Sequence, residues 1–189
     1  MRVLSGKAKG RRLFSVKGFN TRPTSEKVKG SIFDILSCDF EGQEVLDLFA
    51  GTGSLGIEAL SRGALKAVFI ESNRQALSAL EKNLRNSGFF DQSWIMKTTV
   101  ERGIRVLEKR ANRFDLIFMD PPYDRGFLNS TLAMVSRSNI LKDSALVIVE
   151  HSSSDSLECS IKRLALNDQR RYGNTLVSFF EQRNDKGET

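Results

Sequence analysis

The stretch Asp47-Leu-Phe-Ala-Gly51-Thr-Gly53-Ser-Leu-Gly56 places a Gly-x-Gly-x-x-Gly motif between an apolar run and a helical pattern. Glycines at this spacing let the backbone turn tightly and approach a ligand closely. Glu71 follows Gly51 by about twenty residues, at the end of the next apolar run. A carboxylate there can accept hydrogen bonds from both hydroxyls of a ribose. The motif therefore predicts an adenosine-like ligand bound after the first strand of an α/β fold.

Apolar runs of strand length alternate with helical patterns from Glu44 onward. The runs predict strands at residues 44–50, 66–71, 93–98, 114–119 and 145–150, with helices at 54–62, 73–87, 100–111 and 127–136. Repeated strand–helix units with nearly continuous apolar strands are typical of a mostly parallel sheet with helices on both faces. Such a sheet binds ligands beyond the carboxyl ends of its strands, so functional residues are expected directly after each strand.

Hairpins are predicted at both ends of the chain. Residues 2–5 and 10–14 are short extended stretches around a Gly/Lys turn, a pattern that favours a small N-terminal β-hairpin. Residues 161–166 and 175–181 flank Arg170-Arg-Tyr-Gly-Asn and predict an antiparallel hairpin that closes the sheet. We expect a single domain over 1–189, comprising an arm (1–22), a core (23–183) and a polar tail (184–189).

Three helix ends have recognisable signals. Thr24 follows a proline and is predicted to cap a helix with one apolar stripe, formed by Val28, Ile32, Ile35 and Leu36. Ser72 and Gln75 fit a capping box at the start of the helix over 73–87. Gly88 fits the left-handed residue that often ends a helix.

The net charge of +6 is concentrated at the N-terminus. Residues 1–30 hold nine basic residues and one acidic residue, a net +8, so the rest of the chain carries −2. This distribution is typical of an arm that contacts phosphates. The basic residues expected to contact nucleic acid are Arg2, Lys7, Lys9, Arg11, Arg12 and Arg22.

Composition excludes several protein classes. No run approaches the ~20 apolar residues that span a bilayer, and the N-terminus lacks the apolar stretch of a signal peptide, so a cytoplasmic protein is expected. Cys38 and Cys159 form no CxxC pair, and His151 is the single histidine; neither a disulfide framework nor a metal site is predicted. A monomer is the simplest expectation at this size.

The position of Asp47 distinguishes between adenosine-containing ligands. In a dinucleotide site the loop and the helix N-terminus face a pyrophosphate, which a carboxylate four residues before the first glycine would repel. S-adenosylmethionine has no phosphate, and it carries an ammonium and a sulfonium that suit an acid. The Lys-Ser/Thr pair of a P-loop does not follow the glycines. We therefore favour S-adenosylmethionine over NAD.

Asp120-Pro121-Pro122-Tyr123 directly follows the fourth predicted strand. A chance Asp-Pro-Pro-aromatic match in this length has a probability on the order of 10⁻³. The Asp120 carboxylate and the Pro121 carbonyl can each accept one N–H of an exocyclic base amine, and the prolines, Pro122 included, fix these acceptors. Tyr123 can stack on an extruded base. These residues predict methyl transfer to an amine, in which no metal is required and Asp120 need not be a strong base.

The sequence resembles class I S-adenosylmethionine-dependent methyltransferases, specifically the bacterial RsmD-type small-subunit ribosomal RNA guanine-N2 methyltransferases. The resemblance covers nearly the whole chain. Its pieces are Arg2-Val-Leu-Ser-Gly with Gly10-Arg-Arg-Leu, Arg22-Pro-Thr-Ser-Glu-Lys-Val, the glycine-rich stretch extended through Ala64, Asp120-Pro-Pro-Tyr, and Arg171-Tyr-Gly-Asn-Thr. The Asp-Pro-Pro-Tyr piece is shared with DNA and protein amine methyltransferases; its combination with the N-terminal pieces is specific.

The resemblance implies a Rossmann-like sheet of seven strands and an N-terminal hairpin that helps to grip ribosomal RNA. It implies that Arg22 and Thr24 lie near the site, and that S-adenosylmethionine is contacted by Asp47, Phe49, Gly51, Gly53, Glu71, Ser72 and Asp120. Many relatives carry Asp or Asn after the third strand to bind the adenine amine, whereas this chain has Thr99. The Thr99 hydroxyl or the backbone of Val100 is expected to take that role.

Other interpretations stay open at this point. The residues themselves do not distinguish guanine N2 from adenine N6 or cytosine N4, so the chain could be a DNA amine methyltransferase, although no stretch is long enough for a DNA-recognition domain. It could also be a non-catalytic RNA-binding assembly factor. The expected partner is ribosomal RNA, the small subunit or an assembly intermediate. Glu58 is expected at the surface or at a helix cap, His151 in an ordinary hydrogen bond, and Phe127 either in the base pocket or in the core.

Overall fold

The computed structural model describes residues 1–16, 26–36, 40–122 and 126–183. The predictions for Arg22, Thr24, Cys38, Tyr123 and the tail 184–189 lie outside the described residues. The helices are α1 (Glu26–Leu36), α2 (Ser54–Ser61), α3 (Arg74–Ser87), α4 (Val100–Lys109) and α5 (Phe127–Arg137). The strands are β1 (Glu44–Asp47), β2 (Lys66–Glu71), β3 (Ser93–Lys97), β4 (Phe114–Met119), β5 (Leu141–Ser152), β6 (Ser160–Ile161), β7 (Leu164–Tyr172) and β8 (Thr175–Gln182).

The strands form one sheet in the order β3-β2-β1-β4-β5-β8-β7-β6. The pairs from β3 through β5 are parallel, whereas β8 pairs antiparallel with β5 and with β7. The expected mostly parallel α/β sheet is confirmed. It has eight strands rather than seven, because the chain turns at Lys162, where φ is 53°, and divides the run over 161–166 between β6 and β7.

Helices cover both faces of the sheet, as predicted. On one face, α1, α2, α3 and the N-terminal segment pack together; Phe33 of α1 contacts the Phe118 ring with centroids 5.7 Å apart. On the other face, α4 and α5 contribute Ile104, Leu107, Leu132 and Val135 to a second apolar layer. The five parallel strands are therefore buried from both sides, which explains their nearly continuous apolar sequences.

Two glycines of the motif have identifiable structural roles. Gly53 has a φ of 84° at the start of α2, a left-handed backbone conformation that residues other than glycine rarely adopt. A Cβ on Gly56 would collide with the Phe69 ring of β2, so this glycine lets α2 pack closely on the sheet. The motif therefore shapes both the turn and the helix that follows it.

The start of α3 differs from the predicted capping box. Asn73, not Ser72, is the N-cap, and its Oδ1 accepts hydrogen bonds from the N–H groups of Gln75 at 2.8 Å and Ala76 at 3.1 Å. The Ser72 N–H instead donates to the Glu71 carboxylate. The end of the helix agrees with the prediction, since Gly88 has φ 81°.

The described part of the arm, residues 1–16, is docked on the α1–α3 face. Its two halves run antiparallel and are joined by one bridge between Arg2 and Arg12, so it is an irregular hairpin without a regular ladder. Val3, Ala8 and Leu13 are buried in the apolar layer beneath it. No helix in the described part of the chain is long and apolar enough to cross a membrane.

Candidate active site

The candidate site lies where β1 and β4 end side by side. Along the chain, the strands proceed from β1 outward to β2 and β3, and then cross to β4 and β5 on the other side. Asp47 is paired with Phe118, two residues before Asp120, and the Leu48 N–H donates to the Phe118 carbonyl at 3.0 Å. The two acidic residues therefore follow neighbouring strands at the switch point, where open α/β sheets bind ligands.

Asp47 is a buried carboxylate with weak compensation. It is 2% exposed, and its Oδ2 accepts a hydrogen bond from the Gly56 N–H at 3.3 Å. Burial raises the pKa of Asp47 to about 7, and the negative charge of Glu71 acts in the same direction against hydrogen bonds from the Gly56 and Phe49 backbone. A bound cation would favour the ionised form, so this position suits a positively charged ligand group.

Glu71 connects the end of β2 to the glycine-rich loop. Its Oε2 accepts the Gly51 N–H at 2.8 Å, and its Oε1 accepts the N–H groups of Ser72 and Asn73, both at 2.7 Å. A carboxylate has about four acceptor positions, so about one is left for a ligand hydroxyl. Accepting both hydroxyls of a ribose would require sharing or replacing one of these backbone bonds.

The start of α4 completes the same edge. The Thr98 N–H donates to the Glu71 carbonyl at 3.1 Å, which brings the end of β3 to the end of β2. Thr99 is the N-cap of α4 by its backbone, and its side chain makes no capping hydrogen bond within the described helix. Val100 packs on the apolar layer of the α4 face. The adenine contacts expected of Thr99 and Val100 stay predictions.

After β4, Asp120 and Pro122 are partly exposed and Pro121 is buried. Beside them, Phe127 opens α5 with 44% of its surface exposed, and its ring centroid lies 6.5 Å from that of the partly buried Phe49. One ring follows β1 and the other opens the helix after β4, so the pair joins the ends of these two neighbouring strands. Such a pair is suited to a flat ligand.

The arm brings most of its predicted contact residues to the surface. Arg2, Lys7, Lys9, Arg11 and Arg12 are all exposed. Arg2 also forms an ion pair with Glu26 at 3.2 Å, and the Arg11 guanidinium donates to the Asn86 carbonyl. Their contact with nucleic acid stays a prediction.

The expectation that Glu58 lies at the surface or at a helix cap is wrong. Its side chain is fully buried and accepts the N–H groups of Leu4 at 2.8 Å and Ser5 at 2.9 Å. It also forms ion pairs with Lys29 at 3.2 Å and Arg62 at 3.0 Å. Burial lowers the pKa of Lys29, an effect that the negative charge of Glu58 opposes. Glu58 therefore anchors the arm from below.

Two further buried polar residues, which sequence reasoning did not single out, also hold the arm. The Ser61 hydroxyl donates to the Ser5 carbonyl at 2.6 Å and accepts the Ala8 N–H at 2.9 Å. Asn83 of α3 binds the backbone of Phe14 and the carbonyl of Thr52 in the glycine-rich loop. The sequence feature that could have identified Ser61 and Asn83 is a polar residue on the apolar face of a helix.

His151 is buried and makes ordinary hydrogen bonds, as expected. Its Nε2 lies 2.9 Å from the Ser178 hydroxyl and its Nδ1 lies 3.0 Å from the Ser152 carbonyl. Burial lowers its pKa. Within the described ranges, no group of three His, Cys, Asp or Glu residues is arranged to hold a metal ion.

Comparisons with known proteins agree with this geometry. The model of the family described as "Conserved hypothetical protein 95" matches residues 1–181. The chain is 36% identical to "Putative rRNA methyltransferase YlbH" of Bacillus subtilis, over 97% of this chain and 100% of that protein. It is 29% identical to "Ribosomal RNA small subunit methyltransferase D" of Escherichia coli, over 100% of this chain and 93% of that protein.

Solved structures show the same architecture. The structure described as "Putative methyltransferase yhhF from Escherichia coli" is 28% identical and superposes with a TM-score of 0.83, over 96% of this chain and 97% of that one. An RNA methyltransferase from Salinibacter ruber, solved with S-adenosyl-L-homocysteine, shares the fold alone: 14% identity, a TM-score of 0.66, and coverage of 88% and 97%. The chain therefore belongs to the conserved hypothetical protein 95 family, the RsmD family of its sequence resemblance.

Proposed function

We propose that this protein methylates ribosomal RNA with S-adenosylmethionine as donor, and that its acceptor is the N2 amine of a guanine in the small-subunit RNA. The observation that carries the proposal is the meeting of Asp47, the glycine-rich loop and the Asp-Pro-Pro turn at one crevice between β1 and β4. The names of the relatives support ribosomal RNA as the substrate class. The choice of guanine N2 rests on the family resemblance.

The residues at the crevice fit S-adenosylmethionine. Asp47 offers a buried negative charge to its ammonium, Glu71 offers a carboxylate to its ribose, and Thr99 and Val100 would face its adenine. The turn at Gly51 and Gly53 lets backbone approach the ligand. When bound, S-adenosylmethionine supplies a methyl group on a positively charged sulfur, which is an electrophile that needs no metal.

The contribution of the chain to the chemistry is to hold the acceptor amine. The lone pair of an exocyclic amine is delocalised into the base, so the amine is a weak nucleophile. Asp120 and the Pro121 carbonyl would each accept one N–H, which orients the lone pair away from the ring plane. The proton leaves after the methyl group has been transferred, so Asp120 serves as an acceptor and not as a strong base. Tyr123 and the Phe49–Phe127 pair would hold the extruded base.

The arm would contribute affinity and not base choice. Its exposed arginines and lysines can neutralise phosphates, which supplies most of the sequence-independent binding energy for nucleic acids. Their positions are set by the buried anchors Glu58, Ser61 and Asn83. A fixed basic surface beside the cofactor edge would thus hold the RNA while one base enters the crevice.

The test uses labelled S-adenosylmethionine and small ribosomal subunits from a strain that lacks this protein. The wild-type protein should methylate the RNA, and Asp120→Ala should reduce the rate by at least about a hundredfold. Asp143→Ala removes an exposed carboxylate from β5 and serves as the matched control. Undiminished methylation by Asp120→Ala would overturn the proposed site.

Two further measurements separate the alternatives. Mass spectrometry of the modified nucleoside should find N2-methylguanosine; N6-methyladenosine or N4-methylcytidine would overturn the finer assignment, and preferential methylation of duplex DNA would favour a DNA enzyme. Calorimetry with S-adenosylmethionine should show binding, whereas its absence would favour a non-catalytic assembly factor.

A further inference from the structure

We propose that Asn83 is a positioning residue that links the arm to the glycine-rich loop, so that RNA and S-adenosylmethionine each strengthen the binding of the other. The inference rests on the proposed function, because it takes the arm as the RNA contact and the loop as the cofactor contact. It adds a coupling between the two and names the side chain that transmits it.

Asn83 makes three hydrogen bonds from a fully buried side chain. Its Oδ1 accepts the Phe14 N–H at 2.7 Å, and its Nδ2 donates to the carbonyls of Phe14 at 3.1 Å and Thr52 at 2.9 Å. One amide therefore binds both backbone groups of a residue in the arm and one carbonyl in the loop. Since both N–H donors of the amide are used, neither side can leave without exposing a buried polar group.

On one side of this link lies Thr52, in the glycine-rich loop whose backbone we propose approaches the cofactor. Thr52 lies between Gly51 and Gly53, whose φ angles are 54° and 84°. Two flanking glycines give the loop many accessible shapes, and the bond to Asn83 selects one of them. The Gly51 N–H is held from the other side by Glu71, so Asn83 and Glu71 together define the loop.

The arm side is the end opposite to the Glu58 and Ser61 anchors. Those two residues hold Leu4, Ser5 and Ala8, near the turn of the hairpin. Asn83 holds Phe14, two residues after Arg12 in the second half of the hairpin. Ligand contact along residues 11–16 would therefore reach Asn83 directly, through the backbone of Phe14.

Coupling follows because both ligands order the same amide. RNA on the arm restricts Phe14, and through Asn83 it restricts Thr52; the cofactor restricts Thr52 and, through Asn83, Phe14. The free-energy cost of ordering the shared element is then met by whichever ligand binds first. By linkage the effect is reciprocal, and typical coupling between sites is about fivefold or more.

The experiment measures the dissociation constant of unmodified small-subunit RNA, made by transcription, with and without saturating S-adenosyl-L-homocysteine. We expect S-adenosyl-L-homocysteine to lower the dissociation constant of the RNA by about fivefold for the wild-type protein. It should leave that constant unchanged for Asn83→Ala. Asn86→Ala is the matched control: this residue lies one turn further along α3, and its backbone carbonyl is the group that Arg11 contacts. It should keep the wild-type ratio.

A second pair of variants weakens the link from the arm side, in case Asn83→Ala is poorly folded. Phe14→Pro removes the N–H that binds Asn83 Oδ1 and keeps the carbonyl that accepts from Asn83 Nδ2. Phe14→Ala removes the ring and keeps both backbone groups. The proline variant should lose much of the coupling, and the alanine variant should retain it. Hydrogen exchange at the Gly53 amide, which donates to the Ala50 carbonyl at 2.7 Å, should slow on RNA binding more in the wild-type protein than in Phe14→Pro.

The outcomes separate the inference from the function on which it rests. A wild-type protein that binds RNA and cofactor with no mutual effect would overturn the coupling. If Asn83→Ala or Phe14→Pro showed coupling as strong as that of the wild-type protein, the role of Asn83 would be overturned. A wild-type protein that binds no cofactor, or methylates no ribosomal RNA, would overturn the proposed function itself.

Discussion

The surface under the arm and the β1–β4 crevice each bury a carboxylate almost completely, and they compensate its charge differently. Under the arm, Glu58 accepts two backbone N–H groups and pairs with Lys29 and Arg62. At the β1–β4 crevice, Asp47 accepts the Gly56 N–H at 3.3 Å, and no lysine or arginine of the described chain forms an ion pair with it.

The difference separates a structural acid, Glu58, from the acid that we propose binds the cofactor, Asp47. A buried charge is costly unless it is paired and hydrogen-bonded. The cations that pair with Glu58 belong to the chain, so Glu58 stabilises the folded arm without any ligand. The raised pKa of Asp47 reflects missing compensation, and a ligand with an ammonium group would supply it. Burial alone does not identify a functional carboxylate; the source of the balancing charge does.

The largest expected effect comes from breaking the compensated region. Lys29→Met leaves Glu58 without the buried cation and leaves the Arg2 carbonyl without the donor that lies at 2.7 Å. Removing one partner of a buried ion pair costs about 3–5 kcal/mol. We expect the free energy of unfolding, measured by urea denaturation, to fall by about 3 kcal/mol, at the lower end of that range because Arg62 remains beside Glu58.

The half-exposed pair of Lys66 and Glu44, 3.1 Å apart, offers the matched control. Lys66→Met should change the free energy of unfolding by less than about 1 kcal/mol, because solvent already screens that pair. The double variant Lys29→Met with Glu58→Gln should recover part of the loss. Equal effects of Lys29→Met and Lys66→Met would show that the Glu58 region is not compensated in the way described.

The next effect comes from removing the uncompensated charge. The folded-state pKa of Asp47 is raised to about 7, above its unfolded value, so the folded state holds a proton that the unfolded state has lost. The Asp47 contribution to stability therefore falls as pH rises from about 4 to about 7. Asp47→Asn should remove that loss and raise the free energy of unfolding at pH 8 by an amount on the order of 2 kcal/mol, as measured by denaturation across this pH range.

The same variant should weaken cofactor binding, which distinguishes it from an ordinary stabilising substitution. Calorimetry with S-adenosylmethionine should show a dissociation constant raised by about tenfold or more, because the neutral amide cannot balance an ammonium. Asp91→Asn, which neutralises an exposed acid within the 3-10 turn before β3, should alter neither measurement. If Asp47→Asn lost stability at pH 8 and bound the cofactor normally, Asp47 would belong with Glu58 as a structural acid.

The same contrast explains what could be predicted from the sequence. Asp47, Gly51, Glu71 and Asp120 were placed at one edge because a parallel sheet brings the residues after its strands together, a rule that needs only strand boundaries. Glu58 was misplaced because its partners Leu4 and Ser5 lie more than fifty residues away in the chain. Local periodicity contains no information about a segment that returns to cover a helix.

Smaller errors have the same origin at shorter range. Ser72 and Asn73 are both good capping residues, and the contact that distinguishes them is the acceptance of the Gln75 and Ala76 N–H groups by Asn73 Oδ1. The eighth strand depends on one left-handed residue, Lys162, inside an otherwise continuous run. In each case a single contact or backbone angle decides between two conformations that the local sequence favours about equally.

The smallest effect concerns the outer surface of the arm, where charge faces solvent. Replacing Arg11 and Arg12 with alanine leaves Glu58, Ser61 and Asn83 in place, so folding and cofactor affinity should be unchanged. The slope of log RNA affinity against log salt should flatten by about one unit, because roughly 0.7–0.9 of a counterion is released per phosphate contact and Arg11 is partly held by the Asn86 carbonyl.

Arg102→Ala with Arg105→Ala removes the same charge from exposed positions of α4, on the opposite face of the sheet. Equal salt slopes for the two double variants would mean that the arm attracts RNA through net charge alone. A salt slope that flattens more in the arm variant than in the α4 variant would place the phosphates on the arm.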